Sequence, residues 1–151
     1  MMPWRASAQP SAVPALFTPI PPWRFRASTK RCWRAFGGEC RCYISDPRVV
    51  AQAKAQGITR SMAAVDIAVA ESGEKVFVFG NAPTALFRLL EHDAAVSGAI
   101  GVPVGFVGAA ESKQALTQSA LPAIAALGRK GGSNVAAAIV NAILYHLRDV
   151  R

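Results

Sequence analysis

The 151-residue sequence predicts an α/β fold, a parallel sheet with helices on both faces. Three observations point to it. Beyond about residue 42, apolar runs of strand length alternate with stretches of helical period. The runs are apolar on both faces, as a doubly covered sheet requires. Hydrophobic residues make up 52% of the chain and charged residues 17%. That balance excludes a disordered chain or a coiled coil and supplies enough apolar surface for a core.

Two compositions meet near Tyr43. Residues 1–42 carry seven Lys/Arg against one acid, Glu39, with all three Trp, all three Cys and six of the ten Pro. Pro10, Pro14, Pro19, Pro21 and Pro22 break any helix that starts there. The expected division is therefore a leader, residues 1–41, disordered or not native to the protein, and an α/β domain, residues 42–151. Ala12–Phe17 is too short for the apolar core of a secretory signal, so the expected location is the cytoplasm. The prolines also speak against the amphipathic helix of a transit peptide. Cys32, Cys40 and Cys42 lack zinc spacing and read as reduced thiols. The net charge of +8 resides mainly in this leader, with no folded platform beside its Trp and Arg, and no nucleic-acid partner is expected.

The body is regular. A short apolar run, Cys42–Ser45, precedes Asp46, which caps a helix with Pro47 in its first turn and Gly57 at its end. Thr59 caps a second helix, Arg60–Ala70. Lys75–Phe79 is a β-branched and aromatic strand. Gly80-Asn81-Ala82-Pro83 turns into a helix over Thr84–His92. Ser97–Val102 reads as a strand, followed by the loop Gly105–Gly108 and a helix over Ala109–Gln118. Leu121–Leu127 is another apolar run. After Gly128–Gly132, Ser133 caps a last helix, Asn134–Arg148, whose buried stripe is expected at Val135, Ile139, Ile143 and Leu147. The uncharged run Ala94–Ala110 has 17 residues with four Gly and a Pro, short of the roughly 20 of a membrane span. No membrane partner is expected.

In a parallel sheet, all turns from strand to helix lie along one edge, the carboxyl ends of the strands, where α/β proteins bind ligands. Four such turns occur here: Ser45-Asp46-Pro47, Gly80–Thr84, Gly105–Gly108 and Gly128–Ser133. Helix N-termini present free N–H groups there, glycine lets a ligand approach the backbone, and Arg60, Arg129 and Lys130 add positive charge. The edge suits an anionic ligand. The dinucleotide and phosphate-loop fingerprints and the GxSxG elbow are absent. His92 and His146 read as solvated residues at helix C-termini, paired with neither a Cys nor an Asp. Asp46, Asp66 and Glu111 form no carboxylate pair. No catalytic residue, metal site or cofactor is assigned.

Gly80-Asn81-Ala82-Pro83-Thr84-Ala85-Leu86-Phe87 and Gly101-Val102-Pro103-Val104-Gly105-Phe106-Val107-Gly108-Ala109-Ala110-Glu111-Ser112-Lys113 closely resemble the precorrin-8X methylmutase family. Asp46-Pro47, Thr59-Arg60-Ser61 and Gly128–Ser133 agree in order and spacing. The resemblance covers about Cys42 to Tyr145 and implies a flavodoxin-like α/β domain. It further implies a cobalamin-pathway isomerase that moves a methyl group between adjacent ring carbons, a corrin precursor rich in carboxylates as substrate, a homodimer, and no metal or organic cofactor. On it, the substrate-binding positions are Arg60, Ser61, Asn81, Thr84, Gly105, Val107, Gly108 and Arg129. Val104, Phe106 and Val107 offer apolar surface to a macrocycle. The family has a longer N-terminal part carrying an acid/base histidine, which has no match in residues 1–42. The expectation is a truncated or frameshifted copy with an N-terminally incomplete sheet. The alternative is a corrinoid-binding module without catalysis.

Overall fold

The computed structural model describes residues 15–17, 38–92 and 96–149. Strands β1 (Ala15–Phe17), β2 (Cys40–Arg41), β3 (Lys75–Phe79), β4 (Gly98–Gly101) and β5 (Ala123–Ala125) form one sheet in the order β2-β1-β3-β4-β5. Every pairing is parallel, with Leu16 beside both Cys40 and Val76, Phe77 beside Ala99, and Ile100 beside Ile124. That order is the flavodoxin-like one, whose sequence direction reverses between β1 and β3.

Helices α1 (Pro47–Gln56), α2 (Arg60–Ala70), α3 (Pro83–Glu91), α4 (Ala109–Gln118) and α5 (Ser133–Asp149) cover both faces. On one face, Phe77, Phe79 and Ala99 pack with Val65 and Ala68 of α2, Ala85, Leu86 and Leu89 of α3, and Leu116 of α4. On the other, Val76, Val78, Ile100 and Val102 pack against Ala136, Ala137, Val140 and Leu144 of α5. Helix α1 joins α2 through Val49, Ala53, Ala63 and Ala64.

Local chemistry fixes the boundaries. Asp46 accepts from the Arg48 N–H at 2.8 Å, and Pro47 opens α1. Gly57, at φ +65°, ends it. Thr59 Oγ1 accepts from the Met62 N–H at 3.2 Å and starts α2. The first apolar run is displaced: the strand is Cys40–Arg41, and 44–45 are already turning into α1. The stripe expected on α5 is corrected too. Val135 and Leu147 are exposed and Ile139 and Ile143 half-buried, while Ala136, Val140 and Leu144 are fully buried. The helix is turned by about one residue, roughly 100°, so that small alanines meet the sheet and its backbone approaches closely.

Two strands, β1 and β2, arise from the segment 1–41 expected to lie outside the domain; residues 1–14 and 18–37 lie outside the described residues. No helix among the described residues is long and apolar enough to cross a membrane.

Candidate functional site

The carboxyl edge of the sheet is built from three turns that lock together. After β3, Gly80-Asn81-Ala82 leads to Pro83 at the start of α3. After β4, Val102-Pro103 continues into 104–108 and α4. After β5, residues 126–132 lead into α5. The Val102 N–H donates to the Phe79 carbonyl at 2.8 Å, extending the sheet past β4. The Gly132 N–H donates to the Val102 carbonyl at 2.8 Å and the Gly105 N–H to the Arg129 carbonyl at 3.3 Å. Gly108, at φ +74°, turns the chain into α4 against Pro83 and Phe87 of α3. At Gly131 the approach is closer still, since a Cβ there would overlap the Val102 carbonyl oxygen. Only glycine permits that contact.

These bonds bring Asn81, Thr84, Gly105, Val107, Gly108 and Arg129 to one edge. Asn81, Thr84 and Arg129 are exposed and Gly105 and Gly108 half-buried. Phe106 and Val107 are 84% and 90% exposed, far more than apolar side chains of their size usually are. The Arg129 guanidinium sits over the Phe106 ring, 5.9 Å from its centroid, a cation held at an aromatic face. Arg60 and Ser61 open α2, which ends just before β3 begins. Because α2 runs back toward the amino end of β3, its start lies on the carboxyl side, with Arg60 exposed and Ser61 half-buried. Among the described residues, neither bonds to the three turns.

The starts of α1 to α4 differ. Asp46 and Thr59 close α1 and α2 with their own oxygens. The N-caps of α3 and α4, Ala82 and Gly108, provide no side-chain cap bond. These two starts keep the donor character and positive dipole end that attract anions. Glu111, in the first turn of α4, is the acid on this edge, set against Arg129 and Lys130.

Lys113 was not among the residues singled out from sequence. It lies on α4, fully buried, and its Nζ donates to the Lys130 carbonyl at 2.7 Å. A lysine in a helix ordinarily reads as solvated, and only the turn packed over it removes its water.

His92 is corrected. It was expected to be solvated and unpaired, but it is half-buried, with Nε2 2.7 Å from Asp66 Oδ1. Asp66 also accepts from Arg88 Nε at 2.7 Å and Gln52 at 3.2 Å. Burial pushes the Asp66 carboxyl up, but the hydrogen bonds from Arg88 and His92 outweigh it and hold it below its ordinary value. This cluster joins α1, α2 and the carboxyl-terminal end of α3, whose amino-terminal end lies at the carboxyl edge. His146 is exposed in the last turn of α5, also remote from it. Both histidines of the chain thus lie away from the three turns of this edge. Burial raises the Cys42 thiol above its ordinary value. Among the described residues no group of three or more His, Cys, Asp or Glu is placed to hold a metal.

The edge therefore combines uncapped helix starts, fixed cations and exposed apolar side chains, an arrangement suited to a flat apolar body with anionic substituents. A family model for precorrin-8X methylmutase matches residues 26–146, which takes in residues 26–41 as well as the stretch that carries the sequence resemblance. A cobalt-precorrin-8 methylmutase from Salmonella typhimurium is 78% identical over 121 residues, 80% of this chain and 58% of that protein. One from Priestia megaterium is 46% identical over 111 residues, 71% of this chain and 49% of that protein. The chain thus spans about half to three fifths of the length of these relatives. A solved precorrin-8X methyl mutase from Thermus thermophilus superposes with a TM-score of 0.77 at 30% identity, covering 90% of this chain and 68% of that one.

Proposed function

Because this chain belongs to the precorrin-8X methylmutase family, we propose that its carboxyl edge binds an acidic corrin precursor and that it serves the isomerase reaction in which a methyl group moves between adjacent ring carbons. The observation that carries the proposal is the pairing of Arg129 with the exposed ring of Phe106 beside Val107, on an edge with two uncapped helix starts. A corrin needs both kinds of surface, an apolar one for the ring and cationic or N–H groups for its carboxylates. Phe106 and Val107 would lie against the macrocycle. Arg60, Ser61, Asn81, Thr84 and Arg129 would hold carboxylates, with the Gly105 and Gly108 backbone close beside them. The name of the Salmonella typhimurium relative supports a cobalt-bearing corrin as the substrate. The cytoplasm is the compartment proposed for this reaction.

The positions of the two histidines favour a second reading for the chain by itself, a corrin-binding module without turnover. An acid/base group typically contributes 10²–10⁴-fold, and neither His92 nor His146 reaches the edge. Absorbance titration with the acidic corrin precursor, followed by a turnover assay on the same sample, separates the two. Binding with turnover supports the isomerase, binding without turnover the module, and absence of binding overturns both.

A homodimer completes the proposal. The exposed apolar side chains Val135 and Leu147 on α5, with Ile124 and Leu127 near the β5 edge, provide surface that a second copy would cover. Sedimentation equilibrium tests the dimer, and a concentration-independent monomer would exclude it.

A further inference from the structure

Lys113 carries its ammonium fully buried, and the one bond the structure gives it is donation to the Lys130 carbonyl at 2.7 Å. Among the described residues no carboxylate pairs with it. A buried charge is ordinarily matched by an opposite one, and this one is matched only by the dipole of a single carbonyl. That carbonyl belongs to the turn 128–132, which also carries Arg129 and rests through Gly132 on Val102. Burial of this kind disfavours the charged form, and the Lys113 ammonium is correspondingly pushed down from its ordinary value. Such an expensive arrangement adds nothing to packing that a methionine would not supply.

We infer that Lys113 is a positioning residue for anion binding: it anchors the turn 128–132 from beneath, so that Arg129 faces the ligand, and its unmatched charge biases the edge toward polyanionic corrins. This role presupposes the corrin-binding function proposed above. An anionic group on the ligand would supply the opposite charge that the protein does not, through a low-dielectric layer where screening is weak.

The test is Lys113→Met, which keeps the length and removes the charge, with Lys113→Arg as the variant that keeps the charge but misfits the cavity. Three measurements are made on the full chain: thermal melting, amide hydrogen exchange across 128–132, and titration with a corrin polycarboxylate and with its neutral methyl ester. Lys113→Met is expected to melt no lower than the parent, because removing an unmatched buried charge offsets the lost hydrogen bond. Exchange at Gly131 and Gly132 should nevertheless quicken. Affinity for the polycarboxylate should fall about tenfold or more while affinity for the ester is unchanged. Lys113→Arg should melt lower yet retain more of the preference for the polycarboxylate. A role in packing alone predicts the reverse for Lys113→Met, lower melting with both ligands weakened alike, and that result overturns the inference. If the parent binds neither corrin, the functional proposal fails by itself. The exchange measurement then still decides the anchor, and an unchanged rate across 128–132 overturns it.

Discussion

Gly131→Ala tests whether the edge depends on backbone contact. The added methyl would overlap the Val102 carbonyl oxygen and lie 3.0 Å from the Pro103 carbonyl oxygen. Both obstacles are backbone atoms at the end of β4, so neither can swing aside as a side-chain tip could. The turn 128–132 must lift instead. Overpacking of this kind costs on the order of 1–3 kcal/mol. Lifting the turn also loosens the 2.8 Å bond from Gly132 to Val102, worth about 1 kcal/mol. Alanine restricts the unfolded chain and returns roughly 0.4–1 kcal/mol. The net destabilisation is therefore about 1–4 kcal/mol, against the roughly 5–15 kcal/mol that holds a domain folded. Urea unfolding should show a lower midpoint with an unchanged slope. Corrin affinity should fall as well, because Arg129 moves with the turn. Gly57→Ala is the control: its φ is +65° and a Cβ there meets open space, so it should cost only about 1–2 kcal/mol of conformational strain and leave affinity alone. If Gly131→Ala proves as stable as the parent, the close approach of the turn to β4 is wrong, and the assembly of the edge with it.

Arg60→Ala should lower the affinity of the folded chain for a corrin polycarboxylate about tenfold, since a hydrogen bond to a charged group is worth roughly 1.5–3 kcal/mol; unchanged affinity in an absorbance titration would remove Arg60 from the site. The Asp66 carboxyl is held below its ordinary value in the folded protein, so its contribution is present above about pH 4, the unfolded value, and is lost as pH falls through the folded one. Urea midpoints measured against pH should thus decline in acid, and Asp66→Asn should be less stable at neutral pH with a flatter acid limb; an identical limb in both proteins would refute the assignment. Limited proteolysis tests whether the sheet begins upstream of Cys42: retention of Ala15–Phe17 with the body is expected from its pairing with β2 and β3, and removal of residues 1–41 that leaves a folded body refutes it.

Most of the fold was legible because its boundaries are set by neighbours in sequence. Asp46-Pro47, Gly57 and Thr59 fix both ends of α1 and the start of α2 through bonds that span four residues or fewer. Lys75–Phe79 announces itself by composition alone and is buried along its whole length. The α5 stripe was misjudged for a physical reason. Hydrophobicity favours Val135, Ile139, Ile143 and Leu147, but the face that meets the sheet lies one position along, at Ala136, Val140 and Leu144, where Ala136 and the adjacent Ala137 allow close approach. The Asp66–His92 pair spans 26 residues and two helices, so nothing local signals it. Lys113 is hidden in the same way, because its burial depends on a turn 17 residues away. The candidate edge fared better, since glycine turns mark it locally. What sequence could not show is which bonds draw the turns together.

The strand order has a consequence for how the chain assembles. Strands β3 and β4 pair Val76 with Gly98, a separation of about 20 residues spanned by α3, whereas β1 pairs Ala15 with Lys75, about 60 residues apart. Closing the longer loop costs roughly 1 kcal/mol more in chain entropy. The β3–α3–β4 unit is thus the cheapest nucleus, and it already contains Phe77, Phe79, Leu86 and Ala99 of one core. Strand β1, which lies between β2 and β3, is inserted late between partners of which one is already in place. On a ribosome it would emerge early and wait for most of the body to be made. Pulse-labelled exchange during refolding should accordingly find the amides of β3 and β4 protected before those at Ala15–Phe17.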